Sequence, residues 1–174
     1  QQAQDEYIKA WCALKVMSKV YGFGDPDGFV FNMSVGYDLD GIKGRKVNTY
    51  INNMMDAGKA AQFKECKKVL TELFPEEKDF IASISPNVSR SVTLSTLHGC
   101  PPQEIERIAS YLLKEKHLHT FVKCNPTILG YKTARSILDS MGYDYIVFDE
   151  HHFNEDLQWE DAVPMFERLQ KLAD

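Results

Sequence analysis

Apolar residues recur on a 3.6-residue period most plainly at Ile105, Ile108, Ala109, Leu112 and Leu113. That single stripe predicts an amphipathic helix. Its start is marked by Pro101 and Pro102: the first is held out of the α region by the ring that follows it, and the second suits the first helical position. Glu104 and Glu106 lie in the first turns and Lys114 and Lys116 in the last, so charge complements the helix dipole at both ends. Immediately upstream, "SVTLST" (91–96) is short, β-branched and preceded by the polar "SPNVSR", which predicts a strand. The unit is therefore strand, short loop carrying His98 and Cys100, and helix.

The same reading extends along the chain. Tyr7, Ile8, Trp11, Leu14 and Val16 predict an extra amphipathic helix at the N-terminal end. "YGFGDPDG" is a turn or loop, and "FVFNMSVGYD" (29–38) a strand ending in a glycine-containing loop. "RKVNTYINNMMDAG" and "FKECKKVLTELF" are helical, with a short third helix around "EEKDFIASI". "HTFVKCNPT" supplies a third strand, "YKTARSILDSMG" a helix with a glycine stop, "YDYIVFDE" a fourth strand and "PMFERLQKLAD" a last helix. Apolar strands alternating with helices imply an α/β fold of parallel βα repeats. A complete (β/α)8 barrel takes about 250 residues and eight strands. Four strands fit either an open doubly wound sheet or about half of a TIM-type barrel.

Composition narrows the partners. The chain has 174 residues, enough for a single domain, with a net charge of −5 and 26% charged residues. It lacks the basic face of a nucleic-acid binder, so no nucleic acid is expected. No apolar run is long enough to span a bilayer and no signal peptide is evident, which predicts no membrane association and a cytoplasmic location. Opening on a helix without methionine and closing on another, the chain reads as part of something longer. Cys12, Cys66, Cys100 and Cys124 form no CxxC pair, which argues for reduced thiols over a disulfide framework or an iron–sulfur ligand run.

Polar residues gather where the predicted strands end: Asn32 and Ser34, then Ser95, His98 and Cys100, then Lys123 and Asn125, then Asp149, Glu150, His151 and His152. In parallel α/β folds that carboxyl edge binds ligands. Lys123 alternates with Phe121 and Asn125 on one strand face, where it is paired, bound to a ligand anion or exposed at an edge, the pair being with Asp149 or Glu150. Cys100 stands beside a helix N-terminus, a setting that lowers a thiol pKa, although a small buried apolar role is the commoner one for cysteine. No Cys–His–Asn constellation can be read. His117 with His119, and His151 with His152, lack a third ligand at a telling spacing, so no metal site is expected. "GFGDPDG" precedes a strand and is not a phosphate loop.

The string "FNMSVGYDLDGIKG…TLSTLHGCPPQEIERIASYLL…HTFVKCNPTILGY" resembles the central part of the selenate reductase iron–sulfur subunit family, large oxidoreductases related to dihydropyrimidine dehydrogenase. The resemblance implies a dihydroorotate-dehydrogenase-like FMN barrel within a larger multidomain oxidoreductase, with FAD, NAD(P)H and iron–sulfur clusters elsewhere in the parent. "FVKCNPT" is similar to the strand "FAKLTPN", which implies that Lys123 contacts the flavin, with Asn125 and Thr127 at the ligand edge. "TLSTLHG" is similar to "NLSCPHG", placing Ser95 and His98 beside the ring system. Thr93 stands where that family has a ligand-binding asparagine. Cys100 in "GCPPQEI" is similar to the cysteine of "CGQDPEL", a general acid, and Asn32 would line the flavin pocket.

The expectation is thus an FMN-type oxidoreductase fragment acting on a small-molecule substrate. Lys123, Asn32, Ser95 and Asn125 are its cofactor-binding residues, His98 and Thr127 its substrate contacts, and Cys100 its proton donor; the isolated fragment should be inactive. Two alternatives belong to other classes: a degenerate barrel that docks iron–sulfur and FAD modules of the parent, and a thiol hydrolase. A half barrel leaves the "FVFNMS" and "YIVFDE" strands as edges, which predicts self-association or cover by the N-terminal helix.

Overall fold

Residues 2–95 and 99–174 are described by a computed structural model. In chain order the elements are α1 (Gln2–Tyr21), β1 (Asn32–Val35), α2 (Leu39–Lys43), α3 (Arg45–Met55), α4 (Ala61–Leu73), α5 (Lys78–Ser83), β2 (Ser91–Ser95), α6 (Pro102–Lys114), β3 (His119–Lys123), α7 (Tyr131–Ser140), α8 (Glu150–Glu155) and α9 (Trp159–Ala173). Short 3₁₀ turns cover Pro75–Glu77 and Pro126–Leu129. The strands lie in the order β1-β2-β3, each joined to the next through helices, so the sheet is parallel and the α/β expectation holds.

Two compact units divide the chain. The first comprises Gln1–Met33 and Lys43–Ser91, the second Ser34–Ile42 and Val92–Asp174. In the first, α1 buries Ile8, Trp11, Cys12, Lys15 and Val16, an i, i+3, i+4, i+7, i+8 stripe. The expected stripe is corrected at two positions, for Tyr7 and Leu14 are exposed and Lys15 turns inward. The reason is electrostatic: the Lys15 ammonium sits 4.3 Å from the Trp11 ring centre and 4.9 Å from that of Phe29, and donates to Asp27 Oδ1 at 2.8 Å. Two ring faces and a carboxylate replace the water that it loses. Trp11 Nε1 donates to the Ser85 carbonyl at 2.9 Å. Lys67 of α4 donates to the Ala82 and Ile84 carbonyls at the end of α5, a basic side chain closing a helix C-terminus.

In the second unit, α6 forms as its stripe requires, with Ile105, Ile108, Ala109 and Leu112 buried along with Tyr111. Ala162, Met165 and Leu169 of α9 are buried in the same unit, where α9 packs on α6, and Arg168 grips Glu106 through two 2.7 Å bonds. The chain leaves α6 through His117 at φ 52°, a left-handed conformation that favours glycine. His117→Gly is therefore expected to stabilise the chain by about 1 kcal/mol in urea unfolding; a loss of stability would mean that the imidazole makes a contact worth more than that backbone cost.

Two strand expectations are corrected. The first strand covers only Asn32–Val35, because Phe29 and Phe31 serve as packing rings around Trp11 instead. The fourth strand is absent among the described residues: "YDYIVFDE" is irregular, with Val147 94% and Tyr145 71% exposed. Its carbonyls at Tyr143 and Ile146 accept from the Arg135 guanidinium, and Phe148 stacks on Phe153 and against Tyr131. A strand-like pattern needs a neighbouring ladder, and here an arginine and an aromatic cluster take that place. Asp149, read as a strand end, instead caps α8 by accepting from the His151 N–H at 2.9 Å. The sheet edges are accordingly β1 and β3, not the 145–150 segment.

Candidate functional site

Gly99, at φ 72°, turns the chain after β2 towards Cys100, and Pro101 then takes the N-cap position of α6 without a side-chain cap. Cys100 therefore lies just outside the helix N-terminus, as expected. Its thiol is not activated, which corrects the expected lowering. Partial burial pushes it above its ordinary value, and the Glu104 carboxylate adds to the same effect. Desolvation outweighs the helix end here.

β3 ends at Lys123. Phe121 and Lys123 are exposed while Val122 and Cys124 are half-buried, the alternation expected of the strand. Among the described residues no ion pair or hydrogen bond reaches the Lys123 ammonium, so the suggested pairing with Asp149 or Glu150 is not formed. The chain then turns through the 3₁₀ segment Pro126–Leu129, which carries Thr127.

These pieces meet in one cleft lined by Cys100, Ile105, Lys123, Cys124, Asn125 and Thr127, and by Asp156 and Leu157 from the α8–α9 turn. Its open volume is about 10 Å³, close to the least that holds a water molecule. Asp156 organises it. Its Oδ2 accepts from Asn125 Nδ2 at 3.1 Å and from Thr127 Oγ1 at 2.9 Å, and its Oδ1 from the Gly99 N–H at 3.1 Å. The turn bearing it is braced by Gln158 Nε2, which donates to the Phe153 and Asp156 carbonyls at 2.7 Å each. Sequence reasoning missed Asp156, which sits inconspicuously in "FNEDLQ"; the only available signal was its place just before a helix start.

The other expected residues are placed differently. Ser95 ends β2, half-buried, and its carbonyl lies 3.1 Å from where a Cβ on Gly36 would stand, so a side chain at residue 36 would crowd it. Asn32 is an exposed residue of the first unit, where it opens β1. His98 lies outside the described residues. Among the described residues no group of three His, Cys, Asp or Glu side chains is arranged to hold a metal ion, and no helix is long and apolar enough to cross a membrane.

Comparison with known proteins gives this geometry a context. The family described as oxidoreductase YgfK, N-terminal TIM-barrel domain, matches residues 1–174. Two curated relatives, from Escherichia coli K12 and O157:H7, carry the oxidoreductase YgfK name; each is 43% identical over 188 aligned positions, which take in 99% of this chain and 18% of the relative. The chain thus spans about a fifth of their length. No solved structure matches it.

Proposed function

The chain belongs to the family of N-terminal TIM-barrel domains of oxidoreductase YgfK, and from that premise we propose that it supplies the proton-donating edge of a flavin-dependent oxidoreductase site. The observation that supports this reading is the cleft itself: Cys100, from the loop after β2, and Lys123, the last residue of β3, line one space at the carboxyl edge of the sheet.

A proton donor must hold its proton at working pH. Cys100 does, since burial and Glu104 both raise its pKa. The Lys123 ammonium is exposed at the cleft and, among the described residues, has no internal partner, so it can meet an anionic group. This donor set suits one polar edge of FMN, with Lys123 and Asn125 as the groups that would hold it; the cofactor, when bound in the parent barrel, would supply the hydride. A space of about 10 Å³ encloses no ring system, since small-molecule pockets run to several hundred Å³. Lys123, exposed at the cleft, is the group that would meet the ring system. Titration of the chain with FMN, followed by fluorescence quenching, is expected to give no saturable micromolar complex; a micromolar one would overturn the view that further barrel segments complete the cofactor site.

The hydrogen bonds of Asn125 and Thr127 to Asp156 favour a second reading, in which the barrel is degenerate and docks the iron–sulfur and FAD modules of the parent. Full-length protein that purifies with FAD and iron but without FMN would select it.

A further inference from the structure

We propose that the Gly99 N–H, the Asn125 amide and the Thr127 hydroxyl form a recognition site for a small carboxylate-bearing ligand, and that Asp156 fills it as an internal stand-in. This rests on the reading above, that the cleft is the proton-donating edge of the site. The argument begins with the donors. Three of them, from the loops after β2 and β3, converge on one carboxylate: two on Oδ2 at 3.1 and 2.9 Å, one on Oδ1 at 3.1 Å. None of the three is charged, yet each points at an anion, and the cation of the same cleft, Lys123, is left without an ion pair among the described residues.

Such a set is pre-organised for a planar two-oxygen anion. A carboxylate brings two oxygens, each able to accept more than one hydrogen bond, so it can take all three of these donors. A tetrahedral phosphate would carry further oxygens into a cleft with only about 10 Å³ to spare. The occupying group comes from an irregular turn between two helices and not from the sheet that presents the donors, so displacing it need not disturb β2 or β3. A ligand carboxylate that replaced it would stand in the cleft that Cys100 and Lys123 also line, which brings a thiol proton and an ammonium to the same space.

An internal carboxylate competes at the high effective concentration of a tethered group, so removing it should uncover the site. The test is acetate binding to the wild-type chain and to Asp156→Ala at constant ionic strength, read from the Gly99 amide resonance and from the thermal midpoint, with chloride and phosphate as comparison anions. Asp156→Ala is expected to bind acetate saturably and at least tenfold more tightly than wild type, and acetate should return the Gly99 resonance towards its wild-type position. Equal acetate binding by both chains, or an identical response to chloride or phosphate, would overturn the proposal. If Asp156→Ala does not fold, Asp156→Ser serves with the same expected outcomes. No flavin enters this measurement, so failure to bind FMN and failure to bind acetate are separate results.

Discussion

Trp11→Ala is expected to cost roughly 3–5 kcal/mol of stability in urea unfolding, a large share of the 5–15 kcal/mol typical of a domain. Three losses add up. Trp11 is only 5% exposed, and its ring meets Phe29 and Phe31 edge-on at 5.5 and 5.7 Å between centres, so alanine leaves a cavity with few atoms to collapse into it. The Ser85 carbonyl loses the indole N–H, leaving a part-buried acceptor unpaired at a cost of about 1–3 kcal/mol. Lys15, itself 5% exposed, keeps Asp27 and the Phe29 ring but loses the nearer of its two ring faces. Trp11→Phe retains a ring and should cost less than half as much. A loss below about 1 kcal/mol for Trp11→Ala, well under the usual range for large-to-small core changes, would contradict this account of how the N-terminal helix is anchored.

The same helix shows where sequence periodicity stops. Its stripe is readable at Ile8, Trp11 and Val16, but apolar Leu14 reads as an inward position and Lys15 falls outside the stripe. The structure reverses them, since the rings and the carboxylate that house an ammonium come from residues 11, 27 and 29 and no periodic rule combines those. The helix over 102–114 was legible because every local signal agreed: paired prolines, a continuous stripe, acidic residues early and a lysine late. "YDYIVF" failed for the complementary reason. Its composition is that of a strand, yet a strand is defined by a neighbour, and Arg135 claims its carbonyls.

The candidate site divides in the same manner. Cys100, Lys123 and Asn125 are legible as a group because all lie at or just past the ends of predicted strands, Thr127 is implied by the family resemblance, and the cleft joins those four. Asp156 was not, since its role depends on three donors lying 57, 31 and 29 positions earlier in the chain. Protonation was misread because proximity to a helix end is visible in sequence, whereas burial of the thiol beside Glu104 is not.

That protonation state yields the second large effect, an alkylation profile for Cys100 displaced well to the alkaline side. Only the thiolate reacts, and both causes act in one direction: burial removes the solvent that would stabilise the anion, and the Glu104 carboxylate repels it. With its pKa raised above the ordinary value, Cys100 holds less thiolate at pH 7 than a free thiol does. Iodoacetamide labelling followed by peptide mass spectrometry should therefore show Cys100 reacting more slowly than a free thiol at pH 7, with a rate midpoint on the alkaline side of the free thiol's. Cys12, fully buried and pushed up to about 12 by that burial and by the adjacent Cys66 thiol, should stay unlabelled in the folded chain. Glu104→Gln keeps an oxygen for the Leu39 N–H that Glu104 now accepts but removes the like charge, so it should move the Cys100 midpoint down without restoring an ordinary thiol, because burial is the larger cause. Rapid labelling at pH 7 would mean an activated nucleophile and would favour thiol hydrolase chemistry. A slow, alkaline-shifted profile leaves the thiol as the proton-holding group that an oxidoreductase site needs opposite its electron donor.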